Sequence, residues 1–124
     1  MADLQAKLQA LSEDYTKLQQ ELQDTVQSRQ KLEAQRQENL GVQEEFAKLK
    51  EGETIYKLIG PILLKQDQTD AESTVNGRLE FINKEITRLE GHIKESQGKM
   101  EKKKNEIIQL QTSAQAAAGQ AVKA

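Results

Sequence analysis

The sequence predicts a mainly α-helical chain in which two long helices pair as an antiparallel coiled coil with one β-hairpin between them. Three observations predict this class. Apolar residues recur every seven positions along two long stretches. One short segment between those stretches breaks the helical period and carries the only proline of the 124 residues. The composition, 31% charged and 3% aromatic, is too polar to fill a compact single core.

The first helix is expected over residues 1–51. Steps of four and three from Leu4 reach Leu8, Leu11, Tyr15, Leu18 and Leu22, an unbroken apolar seam. The same steps then meet Thr25, Arg29, Leu32, Arg36, Asn39, Gln43, Phe46 and Lys50, so the seam is polar in its middle. Val42, Phe46 and Leu49 suggest that it slips by one place before the helix ends, which leaves the register open between Leu32 and Phe46. Gly52, between Glu51 and Glu53, is the natural C-terminal stop.

Residues 54–66 read as two short strands around Gly60-Pro61. Gly60 can take the positive φ of the first position in a type II′ turn, and Pro61 the φ near −65° that the second tolerates. In that register Ile59 faces Ile62, Leu58 faces Leu63 and Lys57 faces Leu64. One face then carries Ile55, Ile59, Ile62 and Leu64, the other Tyr56, Leu58 and Leu63. An isolated hairpin is marginal in water and its edges recruit other strands. These seven residues are therefore expected to finish their sheet and core against other chains.

After a polar connector, Thr69-Asp70-Ala71-Glu72 has capping-box spacing and starts a second helix expected over 69–112. Its seam is cleaner: Val75, Leu79, Ile82, Ile86, Leu89, Ile93, Ser96, Met100, Lys103, Ile107, Leu110, Ala114. Residues 113–124, rich in Ala, Gln and Gly, are expected as a helix end and flexible tail. Folding the second helix back along the first, with paired positions summing to about 125, sets Phe46 near Leu79, Leu32 near Ile93, Leu18 near Ile107 and Leu11 near Ala114. The expected result is a single domain over 1–124, a stalk with the hairpin at one end and both chain termini at the other.

The chemistry that composition excludes is broad. With 18 basic and 20 acidic residues the net charge is −2, which offers nucleic acid no bulk attraction. No cysteine is present for disulfides or thiolate metal sites. No signal peptide or apolar membrane span is legible, so a soluble intracellular protein is expected. His92 stands alone, which suits a solvated side chain better than a ligand. Lys99, Lys102, Lys103 and Lys104 are interleaved with Glu101 and Glu106 and read as a solvated helix face. Asn76-Gly77 is a turn dipeptide elsewhere, but here it lies inside an unbroken heptad and reads as helix. The carboxylates lie along helix surfaces with no pocket to raise a pKa, and no phosphate loop or nucleophile elbow occurs, so no enzyme and no cofactor is expected.

The segments Tyr56–Gln66, Arg78-Leu79-Glu80-Phe81-Ile82 and Arg29-Gln30-Lys31-Leu32-Glu33 together resemble the signature of beta-class prefoldin subunits, and the resemblance spans nearly the whole chain. The resemblance implies helix, single hairpin and helix, where the alpha class carries two hairpins. It implies a hexamer of alpha- and beta-class subunits joined through intersubunit β-barrels, here by the strands at Ile55–Ile59 and Ile62–Lys65. It also implies a cytoplasmic, ATP-independent co-chaperone that captures unfolded proteins, such as nascent cytoskeletal proteins, and delivers them to the cytosolic chaperonin. The client-gripping tips map onto Leu4, Leu8, Leu11, Ile107, Ile108 and Leu110, residues that could equally do no more than close the coiled coil. Ile108, outside the seam, is the best single candidate. The rival reading is a structural or tethering coiled-coil protein that oligomerises without chaperone activity.

Overall fold

The structure is a computed structural model that describes residues 2–50 and 52–123, with side chains to residue 119. Its elements are α1 (Ala2–Lys48), β1 (Ile55–Ile59), β2 (Ile62–Gln66) and α2 (Gln68–Lys123). The expected helix end at Glu51 lies outside the described residues, as do Met1 and Ala124. The chain forms two compact units. One spans residues 28–89 and holds the hairpin; the other joins residues 1–27 to 90–124.

In the hairpin unit the core lies on α2. Ala71, Val75, Leu79, Ile82, Ile86 and Leu89 are buried, on the spacing of the heptad repeat. Each of the five larger side chains contributes roughly 1.5–3 kcal/mol on burial. The α1 seam keeps its seven-residue register through Arg29, Leu32, Arg36 and Asn39, all half-buried although three of them are polar. Beyond Asn39 the half-buried positions are Leu40, Phe46 and Leu49, while Val42, expected at the slipped seam, is exposed. Arginine suits such a seam because its aliphatic stem covers apolar surface while its head reaches water or a partner.

The two helices run antiparallel within this unit. Gln43 Nε2 donates to Asn76 Oδ1 at 2.9 Å, and Arg36, Leu40 and Gln43 share a groove with Asn83, Leu79 and Asn76. Leu79 thus faces Leu40, not Phe46. The reason is that the connectors are unequal. Residues 49–54 separate α1 from β1, whereas Asp67 alone separates β2 from α2, so a given α2 residue meets an earlier part of α1.

Both inner helix ends differ from expectation. Helix α1 stops at Lys48, and its last turn tightens through the Leu49 N–H donating to the Phe46 carbonyl at 3.2 Å. Gly52, at φ 89°, serves instead in a turn closed by the Glu53 N–H on the Lys50 carbonyl at 3.1 Å. Helix α2 starts at Gln68, before the expected capping box. The Asp67 carbonyl accepts the Ala71 N–H at 2.9 Å, which puts Asp67 at the N-cap and Thr69 inside the first turn. Glu72 accepts instead from Gln68 Nε2 at 3.1 Å.

In the end unit the helices again run antiparallel, with Lys103 Nζ 3.7 Å from Asp14 Oδ2. Leu11 lines a groove with Leu110 rather than Ala114, and Leu18 lies beside Lys99, Lys102 and Lys103 rather than Ile107. The seam residues Leu4 to Thr25 on α1 and Ile93 to Ala114 on α2 are half-buried, on the expected repeat. Helix α2 does not end at 112 but continues to Lys123, through a stretch of the strong helix formers Ala and Gln. Ala118, four residues past Ala114, extends the half-buried stripe.

Candidate functional site

The β-hairpin is the most distinctive surface of the hairpin unit. Strands β1 and β2 pair antiparallel as Ile55↔Gln66, Tyr56↔Lys65, Lys57↔Leu64, Leu58↔Leu63 and Ile59↔Ile62, which is the expected register. Gly60 has φ 57° and Pro61 keeps a negative φ, the signature of the type II′ turn. That turn fixes the register locally, and with it which residues share a face.

Both faces are apolar and outward. Tyr56, Leu58, Ile59, Ile62, Leu63 and Leu64 are exposed, Leu58 by 68% and Leu63 by 62%; Ile55 is half-buried at the hairpin base. Lys57 and Lys65 interrupt the apolar set once on each face. Among the described residues the sheet has two strands, so each strand presents one unpaired edge. A contiguous apolar patch bounded by open edges is the surface chemistry of strand addition and of subunit contact.

The expected tip residues divide. Leu4, Leu8, Leu11, Ile107 and Leu110 are half-buried in the seam, whereas Ile108 is 48% exposed. The end unit thus brings five of the six together and turns Ile108 outward. A groove of about 510 Å³ opens beside them, lined by Lys7, Ala10, Leu11, Glu106, Gln109, Leu110 and Ser113.

Two features were not singled out from the sequence as sites. Phe81 is 63% exposed on α2; it precedes the seam residue Ile82, so its off-seam place was readable from the repeat. The second is a polar cluster on α1, in which Arg36 Nη2 donates to Glu33 Oε1 at 2.7 Å and Gln37 Nε2 to the same oxygen at 3.1 Å. These two hydrogen bonds, Arg36's first, hold the Glu33 carboxyl below its ordinary value. On α2 the bidentate contact from Arg88 does the same for Glu85. Both pairs join residues three apart on one helix.

Among the described residues no group of His, Asp and Glu could hold a metal ion, and no helix is long and apolar enough to cross a membrane. His92 is exposed. What the arrangement offers is two kinds of apolar contact surface, a flat two-edged hairpin and a helical seam beside an outward Ile.

Comparison with known proteins agrees with this architecture. A family model described as "Prefoldin subunit" matches residues 9–114. The chain is 46% identical over 104 residues to prefoldin subunit 6 of Saccharomyces cerevisiae, covering 84% of this chain and 91% of the yeast protein. It is 42% identical over 125 residues to prefoldin subunit 6 of Homo sapiens, covering 100% of this chain and 95% of the human one. The prefoldin beta subunit from Thermococcus strain KS-1 shares the fold with a TM-score of 0.76 at 24% identity, over 82% of this chain and 89% of that one. The two helices with their single central hairpin are thus the beta-type arrangement, and this chain belongs to the prefoldin subunit family, with prefoldin subunit 6 as the type it is similar to.

Proposed function

We propose that this chain is one subunit of a hexameric, ATP-independent co-chaperone of the cytoplasm, assembled with other alpha- and beta-class prefoldin subunits. The complex captures unfolded proteins, nascent cytoskeletal proteins among them, and delivers them to the cytosolic chaperonin. The observation that carries this reading is the hairpin, whose exposed apolar residues on both faces and two free edges suit completion by strands of neighbouring chains. Residues Ile55, Tyr56, Leu58, Ile59, Ile62, Leu63 and Leu64 would supply the assembly contact. Leu4, Leu8, Leu11, Ile107, Ile108 and Leu110 would supply one of several weak client contacts, whose joint avidity exceeds that of any single tip. The role is one of binding, with no catalytic step.

Co-expression with candidate prefoldin subunits followed by native mass spectrometry tests assembly, and six subunits with one copy of this chain in stable association is the expected mass. Suppression of aggregation of a chemically unfolded test protein tests capture. A complex that forms but leaves aggregation unchanged would support the tethering alternative and overturn the chaperone reading.

A further inference from the structure

Asn76-Gly77 is the one Asn-Gly pair in the sequence. In an open chain this dipeptide deamidates readily, because glycine has no side chain to shield its amide. The Gly77 nitrogen loses its proton to hydroxide and attacks the Asn76 side-chain carbon. A C–N bond forms there, the bond to Nδ2 breaks, and ammonia leaves after taking a proton from water. Water then opens the resulting cyclic imide at either carbonyl. One opening gives aspartate, the other isoaspartate, whose main chain runs through the former side chain. Asn39, Asn83 and Asn105 precede Leu40, Lys84 and Glu106, whose side chains obstruct the attack.

The fold holds the pair where this reaction cannot start. Both residues lie well inside α2. A helical amide donates to the carbonyl four residues back, Ser73 for Gly77, and the helical ψ of Asn76 keeps the Gly77 nitrogen off the line of attack. Asn76 Oδ1 also accepts from Gln43 Nε2 at 2.9 Å, which ties the side chain to α1. Burial contributes nothing, since Asn76 and Gly77 are both exposed. Gly77 lacks a positive φ and has open space where a Cβ would sit, so neither a turn nor a close approach calls for glycine there. On either side of the pair, Val75 and Leu79 are buried.

We infer that Asn76 is a deamidation site which the pairing of α1 with α2 keeps unreacted. The reaction proceeds only when α2 opens locally, an event that grows rarer as the hairpin unit grows more stable. Its product acts on the same unit. Aspartate at position 76 keeps an oxygen for Gln43 and leaves the backbone unchanged. Isoaspartate adds one carbon to the backbone between Val75 and Leu79, so the two no longer fall on one heptad stripe. A chain that has been open is thereby marked covalently and loses cover on its buried stripe. The inference does not depend on assembly or on client capture.

Incubating the full chain in mildly alkaline buffer, with and without guanidinium chloride, tests it. Peptide mass spectrometry and labelling by an isoaspartyl methyltransferase follow the conversion. Asn76 should convert at least about tenfold faster in denaturant than in buffer. In buffer, Leu79→Ala should convert about tenfold faster than the unmodified chain and Gln43→Ala about twofold faster. Gly77→Ala should stay unconverted in both solutions. Equal rates for the folded and denatured chain overturn the proposal, as does conversion spread evenly over Asn39, Asn76, Asn83 and Asn105. Unchanged rates in both Leu79→Ala and Gln43→Ala overturn the link to helix pairing. After denaturant is removed, the converted chain should recover less helical circular dichroism than Gly77→Ala carried through the same steps. Equal recovery by a chain converted mainly to isoaspartate overturns the effect on the buried stripe.

Discussion

Leu58 and Leu79 are the same residue in the same unit, yet Leu58 is 68% exposed and Leu79 is 6% exposed. The difference lies in period and partner. Leu79 sits on a seven-residue repeat that the chain itself answers with α1, so folding of the monomer buries it. Leu58 sits on a period of two, and the single neighbouring strand covers an edge, not a face. Apolar residues on the helical repeat therefore stabilise the monomer, whereas those on the hairpin stay exposed.

The largest effect should come from testing that contrast on the hairpin. Leu58→Asp with Ile59→Asp puts a carboxylate on each face, where each lost apolar burial costs roughly 1.5–3 kcal/mol and an unpaired charge costs more. The variant should leave the complex while helical circular dichroism stays near that of the unmodified chain. Co-purification with partners in full stoichiometry would remove the hairpin from the assembly role.

The converse change is Leu79→Ala. It should lower stability by about 2–5 kcal/mol, because a buried leucine leaves a cavity against α1. Denaturant unfolding followed by circular dichroism reads the loss. A change within a few tenths of a kcal/mol would mean that α2 does not depend on α1 for cover.

A third, smaller effect concerns the end unit. Leu4, Leu8, Leu11 and Ile108 changed together to Ser should leave the oligomer intact and partly weaken protection of an unfolded protein. Because several subunits would share the client, the expected loss is partial. Full protection by the variant complex would place client contact elsewhere.

The smallest effect is electrostatic. Hydrogen bonds from Arg36 and Gln37 lower the Glu33 pKa from the ordinary 4.5, so the folded state holds the ionised form preferentially. The associated stability is complete above the unfolded-state pKa and is lost as pH falls through the lower folded-state pKa. Glu33→Gln should flatten the acid limb of a stability-against-pH curve and change little at neutral pH. Glu85→Gln should act the same way through Arg88. An unchanged acid limb in both variants would show that these pairs add nothing measurable.

These tests separate what was readable from residues from what was not. The hairpin register needed only Gly60-Pro61, because a two-residue turn dictates which residues face each other across it. The α2 seam was equally readable, since a strict heptad leaves one choice of face. The α1 seam was obscured where Arg29, Arg36 and Asn39 occupy it. The half-buried register continues through Asn39, and of the three residues read as a later slip Phe46 and Leu49 are half-buried while Val42 is exposed. Of the six residues expected to grip clients only Ile108 is exposed, because it alone lies off the repeat.

By itself, then, the sequence determined the elements, their faces and the outward apolar hairpin, since each depends on interactions between residues close along the chain. Tertiary structure decided the pairing of α1 with α2, which sets Leu40 rather than Phe46 against Leu79. It brought Lys17 to the α2 lysines as well. The physical reason is common to the two helix pairings. Heptads give each helix a stripe but no preferred offset along it, and the offset comes from how much chain the unequal connectors consume before the second helix begins.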